Sequence, residues 1–217
     1  MAIDAELAIP ADEHSLPATL TVPDASRGVV VFAHGSGSSR HSPRNIHVAK
    51  VMHRAGLGTL LFDLLTPDEE RVDALDAHLR FDIGLLSRRL DAAVRTVAGD
   101  PRVAASPIGL FGASTGAAAA LATAARLPDV VRAVVSRGGR PDLAGSALGE
   151  VRAAVLLIVG SLDQTVLELN RDAARLLRGE HELAVVPGAT HLFPEPGALD
   201  EVARLATAWF LRALVPP

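Results

Sequence analysis

Stretches of apolar and β-branched residues alternate with helical patterns along the chain and constrain its fold more than any other feature. The clearest of these runs read GVVVFAHG, LGTLLFDLL, PIGLFGAS, VVRAVVS and AAVLLIVGS, in that order. Because the runs are apolar along their whole length, both faces of each strand should be buried. Helical patterns such as Thr115 to Leu127 and Ala198 to Leu214 would cover those faces. The sequence therefore predicts an α/β fold, with a mostly parallel sheet and helices on both of its faces.

Two shorter extended segments, IDAELAI and LPATLTV, precede the first apolar run and are predicted to form an antiparallel edge of the sheet. Thr66 to Arg80 is acidic and poorly periodic, so we expect it to be irregular. The longest irregular stretches span about 15 residues, too few for a second domain. We therefore expect residues 1–217 to form one domain without a cap.

The composition excludes several classes of function. The chain of 217 residues has a net charge of −4 and shows no basic footprint for nucleic acid. It contains no cysteine, which rules out disulfides, zinc–thiolate sites and a cysteine nucleophile. No apolar run approaches the roughly 20 residues of a spanning helix, and Asp4 and Glu6 stand where a signal peptide would be positive. We expect a cytoplasmic protein that binds neither membrane nor nucleic acid; its oligomeric state cannot be deduced from the composition.

A serine lies between two glycines at a predicted junction of strand and helix, in the segment LFGASTG. Glycines mark turns and serine is a common helix N-cap, so a purely structural interpretation is available. The pentapeptide Gly112 to Gly116 also matches G-x-S-x-G, a turn that presents a strained serine while its glycines let strand and helix approach. Because a strand precedes this pentapeptide and a helix follows it, we interpret Ser114 as a nucleophile.

A serine hydroxyl is a weak nucleophile at neutral pH, so it requires a base and a group that orients the base. In chains with this turn, the acid and then the histidine follow the serine, each after a later strand. Asp163 follows AAVLLIVGS and His191 follows HELAVVP, and we assign these roles to them. Asp142 and Asp172 are the alternative acids, but Asp142 begins a short polar segment and Asp172 lies inside a predicted helix.

The segment FAHGSGSS follows the third predicted strand, and its glycines would let backbone N–H groups turn inward. We expect the N–H groups of Ser36 and Thr115 to form the oxyanion hole, and His34 to be structural. The same glycines begin the G-x-G-x-x-G pattern of dinucleotide-binding proteins. Arg40 stands at the third glycine position and no helix follows the strand directly, so this alternative is weak.

Arg137 and Arg140 flank a pair of glycines beyond the strand VVRAVVS. Arginine binds carboxylates through paired hydrogen bonds, which makes both residues candidates for binding a substrate. The alternative is that both are solvated or ion-paired, as most arginines are.

Taken together, these motifs resemble the α/β-hydrolase fold from Gly28 onward. The short pattern without a lid and the segments AHGSGSSRHSPRN, LFDLLTPDEE, SRGGRPDLAG and PGATHLFPEPG resemble the dienelactone hydrolase-like branch. This resemblance implies a small carboxylic ester or lactone as substrate, no metal and no organic cofactor. Dienelactone hydrolases themselves use a cysteine nucleophile and a glutamate near the oxyanion loop. This chain has Ser114 at the matching position, and only small neutral residues from Ser36 to Ser39. Some relatives in this branch are joined to phosphoribosyltransferase domains, for which this chain has no room.

The sequence therefore predicts a serine hydrolase that cleaves small carboxylic esters through Ser114, His191 and Asp163. Lactone or thioester hydrolysis, amide cleavage, perhydrolysis and acyl transfer stay open, and a noncatalytic binding module is an alternative of another class. We expect loops 36–44, 66–80 and 137–146 to form an open pocket that prefers short acyl chains.

Overall fold

A computed structural model describes residues 2–103 and 105–214 of the chain. The strands are β1 (Ile3–Ala11), β2 (His14–Val22), β3 (Val29–Ala33), β4 (Gly58–Phe62), β5 (Ile108–Ala113), β6 (Val131–Arg137), β7 (Ala154–Gly160) and β8 (His181–Val186). The helices are α1 (Pro43–Arg54), α2 (Pro67–Asp76), α3 (Ile83–Gly99), α4 (Thr115–Arg126), α5 (Gln164–Leu176) and α6 (Ala198–Leu214). Turns of 3-10 helix occupy Leu79–Phe81 and Pro141–Glu150.

The eight strands form one sheet in the order β1-β2-β4-β3-β5-β6-β7-β8. All neighbours from β4 to β8 in this order are parallel, whereas β1 with β2 and β2 with β4 are antiparallel. The prediction of a mostly parallel sheet with an antiparallel edge is confirmed. β5 lies between β3 and β6, so the loop that follows it is central in the sheet.

Successive side chains of each strand point to opposite faces of the sheet and build two separate cores. On β5, Leu110 packs into the core that includes α3 and α4, while Phe111 packs into the core that includes α1 and α6. All five residues of β3 and of β4 are buried, as the unbroken apolar runs predict. Both faces of the sheet are therefore covered by helices.

The prediction that Thr66 to Arg80 is irregular is wrong for most of its length, because α2 forms there. The Thr66 side chain accepts the Glu69 N–H, and the Glu69 carboxylate accepts the Thr66 N–H, which together make a capping box. Pro67 occupies the start of the helix, where its missing N–H costs nothing. The sequence TPDE carries this signal, although the helix has no apolar stripe that periodicity would detect.

The functional candidates collect at one edge of the sheet. Because β3, β5, β6, β7 and β8 are parallel, their carboxyl ends meet at the same edge. Loops beyond that edge are the usual position of ligand sites in such sheets.

Candidate active site

The three predicted catalytic residues and Ser36 each follow the carboxyl end of a different strand. Ser36 lies in the loop after β3, Ser114 directly after β5, Asp163 after β7 and His191 after β8. Asp163 is also the residue immediately before α5, which begins at Gln164.

Ser114 adopts a backbone conformation that residues other than glycine rarely take. Its φ is 50° and its ψ is −121°. Its N–H donates to the carbonyl of Arg137 at 3.3 Å, and its own carbonyl accepts the N–H groups of Ala117 and Arg140, each at 3.1 Å. These three hydrogen bonds hold the strained turn in place where the strand passes into α4.

Two glycines allow α4 to pack closely beside this turn. A β-carbon placed on Gly112 would lie 2.4 Å from Cα of Ala117, and one placed on Gly116 would lie 2.3 Å from the carbonyl oxygen of Ala33. Any side chain at either position would meet backbone atoms. Packing therefore requires glycine at both of these positions.

His191 and Asp163 are hydrogen-bonded. His191 Nδ1 donates to Asp163 Oδ2 at 2.6 Å, and the two side chains are 39% and 15% exposed. Because an ionised carboxylate can only accept, the proton lies on Nδ1, and Nε2 of the neutral ring is an acceptor. A β-carbon placed on Gly138 would lie 3.6 Å from His191 Cε1. Gly138 follows Arg137, and the carbonyl of Arg137 accepts the N–H of Ser114. Ser114 and His191 therefore each lie next to the segment Arg137–Gly138.

The loop after β3 is oriented by His34, which is buried. Leu64 N–H donates to His34 Nε2 at 2.9 Å, which leaves Nδ1 to donate to the carbonyl of Gly35 at 3.0 Å. Burial lowers the pKa of His34, consistent with a neutral ring. The carbonyl and the N–H of a trans peptide point in opposite directions. The N–H of Ser36 therefore points away from His34.

Ser36 and Thr115 are brought together across the two loops. Their hydroxyl oxygens are 3.1 Å apart and hydrogen-bonded. Within residues 2–103 and 105–214, no acceptor is hydrogen-bonded to the backbone N–H of either residue. Thr115 is the first residue of α4, so its N–H is one of the unpaired donors of a helix N-terminus.

A cavity of about 510 Å³ opens beside the Ser36 loop. Its wall includes residues 34–39, the first turn of α1, α2 and Thr115. Arg80 in this wall is paired with Asp73, and burial, together with the charges of Asp63 and Asp73, raises the pKa of Glu70. Residues 137–146, which we expected in the wall, do not line this cavity.

The two arginines around the glycine pair have different surroundings. Arg140 forms an ion pair with Asp142, with Nη2 to Oδ2 at 2.7 Å and Nε to Oδ1 at 2.9 Å. The side chain of Arg137 is buried, and its Nε and Nη1 atoms have no hydrogen-bond partner. Asp172, an alternative acid in the sequence, is paired with Arg175 on the exposed side of α5.

One residue near this site was not identified from the sequence. The buried Arg89 in α3 donates to the carbonyl of Leu64 at 2.7 Å. Nothing in its local sequence distinguishes it from other arginines. Its position depends on contacts between elements that are distant in the chain. Arg44, at the end of the predicted pocket loop 36–44, does line the cavity.

The part of the chain that the structure describes contains no group of three or more His, Asp or Glu side chains arranged to hold a metal ion. None of its helices has both the length and the apolar character needed to cross a membrane.

Both the sequence and the fold of this chain are similar to those of known proteins. The sequence profile described as "Dienelactone hydrolase family" matches residues 16–213. A solved structure of dienelactone hydrolase from Anabaena variabilis is 51% identical, with a TM-score of 0.95 over 98% of this chain and 99% of that one. An α/β serine hydrolase without a lid, from Xanthomonas campestris, has a TM-score of 0.78 over 99% of this chain and 96% of that one. At 19% identity it supports the fold alone.

Curated relatives are also found in two strains of Mycobacterium tuberculosis. Each is 56% identical over 214 residues, which is 99% of this chain and 47% of the relative. Both carry the name "Putative phosphoribosyl transferase". The chain therefore spans about half the length of the curated relatives it matches.

Proposed function

Since the chain belongs to the dienelactone hydrolase family, we propose that it is a serine hydrolase that cleaves small carboxylic esters through Ser114, His191 and Asp163. The observation that carries the proposal is the 2.6 Å hydrogen bond from His191 to Asp163. It lies at the sheet edge where Ser114 leaves β5 in a strained turn. A nucleophile, a base and a group that orients the base are the parts that acyl transfer requires.

The first half of the reaction forms an acyl-enzyme. His191 Nε2 takes the hydroxyl proton of Ser114 while the serine oxygen attacks the ester carbonyl. Asp163 holds the ring in the tautomer with the proton on Nδ1, and it stabilises the imidazolium that forms. The same imidazolium then protonates the departing alcohol, which leaves the acyl group on Ser114.

The N–H groups of Ser36 and Thr115 would bind the oxygen that becomes negatively charged. Each has no acceptor in the described part of the chain, and the hydroxyl contact between the two residues holds their loops together. One such donor typically contributes about 3 kcal/mol to the transition state. In the second half of the reaction, water repeats the attack with His191 as base, and the acid is released.

Lactone hydrolysis is the second candidate, because the Anabaena variabilis relative at 51% identity is named a dienelactone hydrolase. A lactone is a cyclic ester, so the same side chains would open it by the same steps. The mycobacterial relatives named as transferases are proteins about twice as long as this chain. Their name therefore does not indicate the reaction at Ser114.

The test is hydrolysis of p-nitrophenyl acetate by the wild type and by Ser114→Ala. We expect the variant to lose at least about 1,000-fold in kcat, because no other nucleophile is activated in the same way. Ser15→Ala, a change at an exposed serine on β2, is the matched control and should keep wild-type turnover. A fluorophosphonate probe should label Ser114 and should fail to label it in His191→Ala.

Turnover by Ser114→Ala at the wild-type rate would reject the assignment. A panel of esters, lactones and thioesters of graded acyl length then distinguishes the candidates. A preference for lactones would favour the second candidate. No turnover of any member by the wild type would favour a noncatalytic binding module.

A further inference from the structure

The hydroxyl groups of Ser36 and Thr115 form a pair whose hydrogen atoms the proposed mechanism does not use. Their oxygen atoms are 3.1 Å apart. Outside this pair, the residues that the structure describes offer no hydrogen-bond partner to either hydroxyl. Two hydroxyl groups carry two hydrogen atoms, and the bond between them uses only one. One O–H hydrogen beside the proposed oxyanion donors is therefore left without an acceptor in the described part of the protein.

Both residues lie against the proposed nucleophile. Thr115 directly follows Ser114 in the chain. From the other side, a β-carbon placed on Gly35 would lie 3.0 Å from Cβ of Ser114, so the loop after β3 touches the nucleophile one residue before Ser36. Ser36 and Thr115 also line the 510 Å³ cavity together. The unused hydrogen therefore lies at the edge of the space through which an ester would reach Ser114.

A tight turn fixes the position of Ser36. The Ser38 N–H donates to the carbonyl of Gly35 at 3.2 Å, which makes residues 35–38 a β-turn. Gly37 is the third residue of this turn and has a φ of 63°, a conformation that favours glycine. The carbonyl of Gly35 also accepts His34 Nδ1 at 3.0 Å. Ser36 is therefore attached to a backbone that is already ordered before any substrate binds.

The different exposure of the two hydroxyl groups decides which one keeps the unused hydrogen. Thr115 is 2% exposed, whereas Ser36 is exposed to solvent. A buried hydroxyl that does not donate loses a hydrogen bond that it would make in water, so Thr115 donates to Ser36. The hydrogen of Ser36 then faces solvent until a substrate arrives. Because a hydroxyl that accepts a hydrogen bond becomes a stronger donor, Thr115 also strengthens Ser36 as a donor.

We propose that the Ser36 hydroxyl is a third donor of the oxyanion hole and that the Thr115 hydroxyl positions it. This inference rests on the proposed esterase function of Ser114. When Ser114 Oγ bonds to the ester carbon, its proton passes to His191 Nε2, and the π electron pair of the carbonyl moves to the oxygen. Ser36 donates a hydrogen bond to that oxygen and keeps its own proton. The bond strengthens as the oxygen becomes charged, so it stabilises the transition state more than the bound ester.

Hydrolysis of p-nitrophenyl acetate by Ser36→Ala is the first test, because alanine removes the hydroxyl and keeps the backbone N–H. We expect kcat to fall about 10- to 100-fold, with KM nearly unchanged. Ser15→Ala, at the exposed serine on β2, is the matched control and should keep both constants. An unchanged kcat in Ser36→Ala, or a change in KM alone, would overturn the inference.

Thr115→Val tests the positioning role, because valine has nearly the shape of threonine but cannot donate to Ser36. We expect kcat to fall about 3- to 10-fold, less than in Ser36→Ala, and Thr115→Ser to keep the wild-type rate. Thr21→Val is the matched control, since it removes a hydroxyl bond to Asp4 at the antiparallel edge of the sheet. If the hydroxyl pair only held two loops together, Ser36→Ala and Thr115→Val would remove the same bond. Equal losses of kcat would therefore refute the proposal.

An analogue of the tetrahedral intermediate gives a readout that does not depend on turnover. Trifluoroacetone adds reversibly to a serine nucleophile and forms a hemiketal whose oxygen carries the negative charge. If Ser36 binds that oxygen, the inhibition constant of trifluoroacetone should rise in Ser36→Ala by the factor by which kcat/KM falls. An unchanged inhibition constant would refute the third donor.

Ser114→Ala distinguishes a failure of this inference from a failure of the proposed function. If Ser114→Ala is inactive while Ser36→Ala has the wild-type kcat, the third donor is refuted and the esterase proposal stands. If Ser114→Ala keeps wild-type turnover, the esterase proposal is refuted, and the third donor is refuted with it.

Discussion

The ion pair between Glu69 and Arg89 stabilises the segment that orients the Ser36 loop. Arg89 is 1% exposed and donates to both Glu69 carboxylate oxygens, at 2.6 and 2.5 Å. It also donates to the carbonyl of Leu64 at 2.7 Å, and the Leu64 N–H donates to His34. The chain of contacts therefore runs from α2 to the loop that carries the proposed oxyanion donor.

Glu69→Gln tests the energy of this pair. Glutamine can keep the capping box of α2, so the substitution removes mainly the charge that faces Arg89. Burial opposes ionisation of Glu69, but hydrogen bonds from Arg89 and Thr66 outweigh it and lower its pKa from 4.5 to about 2. This shift in pKa corresponds to a contribution of about 3 kcal/mol to the free energy of unfolding. Because about one fifth of the Glu69 side chain is exposed to solvent, we reduce the expected contribution to about 2 kcal/mol.

The assay is urea unfolding of wild type and Glu69→Gln at pH 7 and near pH 3. The pKa of Glu69 is lower in the folded state, so its contribution is complete above pH 4.5 and is lost as the pH falls towards 2. The variant should be less stable by about 2 kcal/mol at pH 7, and the difference should shrink near pH 3. Glu13→Gln, in an exposed turn, is the control and should change neither value. Equal stability of Glu69→Gln and wild type at pH 7 would refute the reasoning, as would a difference that does not change with pH.

Two further predictions concern the candidate site. Asp163→Asn should lower kcat on p-nitrophenyl acetate by about 1,000- to 10,000-fold, because the amide does not hold the productive tautomer of His191; Asp172→Asn, at the alternative acid, should keep wild-type turnover. Gly116→Ala should lower the free energy of unfolding by about 1 to 3 kcal/mol in urea titrations, because the new β-carbon would lie 2.3 Å from a backbone carbonyl oxygen. Gly99→Ala is its control, since a β-carbon there meets nothing within 4 Å, and similar losses in both variants would contradict the argument.

The centre of the sheet was predictable because β3, β4 and β5 are buried on both faces, and complete burial produces apolar runs that one can see in the sequence. Helix α2 was missed for the opposite reason. It buries only Asp73 and is stabilised by its capping box and first-turn acids, so its sequence carries no apolar period. Local hydrogen bonding, not packing, determines that helix.

The residues of the candidate site could be predicted where each of them follows the end of a strand. Parallel strands place the loops after them at one edge, so the order of Ser114, Asp163 and His191 along the chain sufficed to nominate them. The role of His34 depends on Leu64, which lies on a neighbouring loop. No pattern within the His34 segment specifies that contact.

Arg137 and Arg140 show most clearly what a sequence leaves undecided. Both are arginines beside the same glycine pair, and either one fits a carboxylate. The structure distinguishes them through their surroundings. Arg140 is paired with Asp142, two residues away, whereas the buried Arg137 forms no ion pair among the described residues. Arg137 continues the period of two that carries Ala133 and Val135 into the core with α1 and α6. Because Arg140 lies beyond the end of the strand, that period does not reach it, and only the position at which β6 ends separates the two residues.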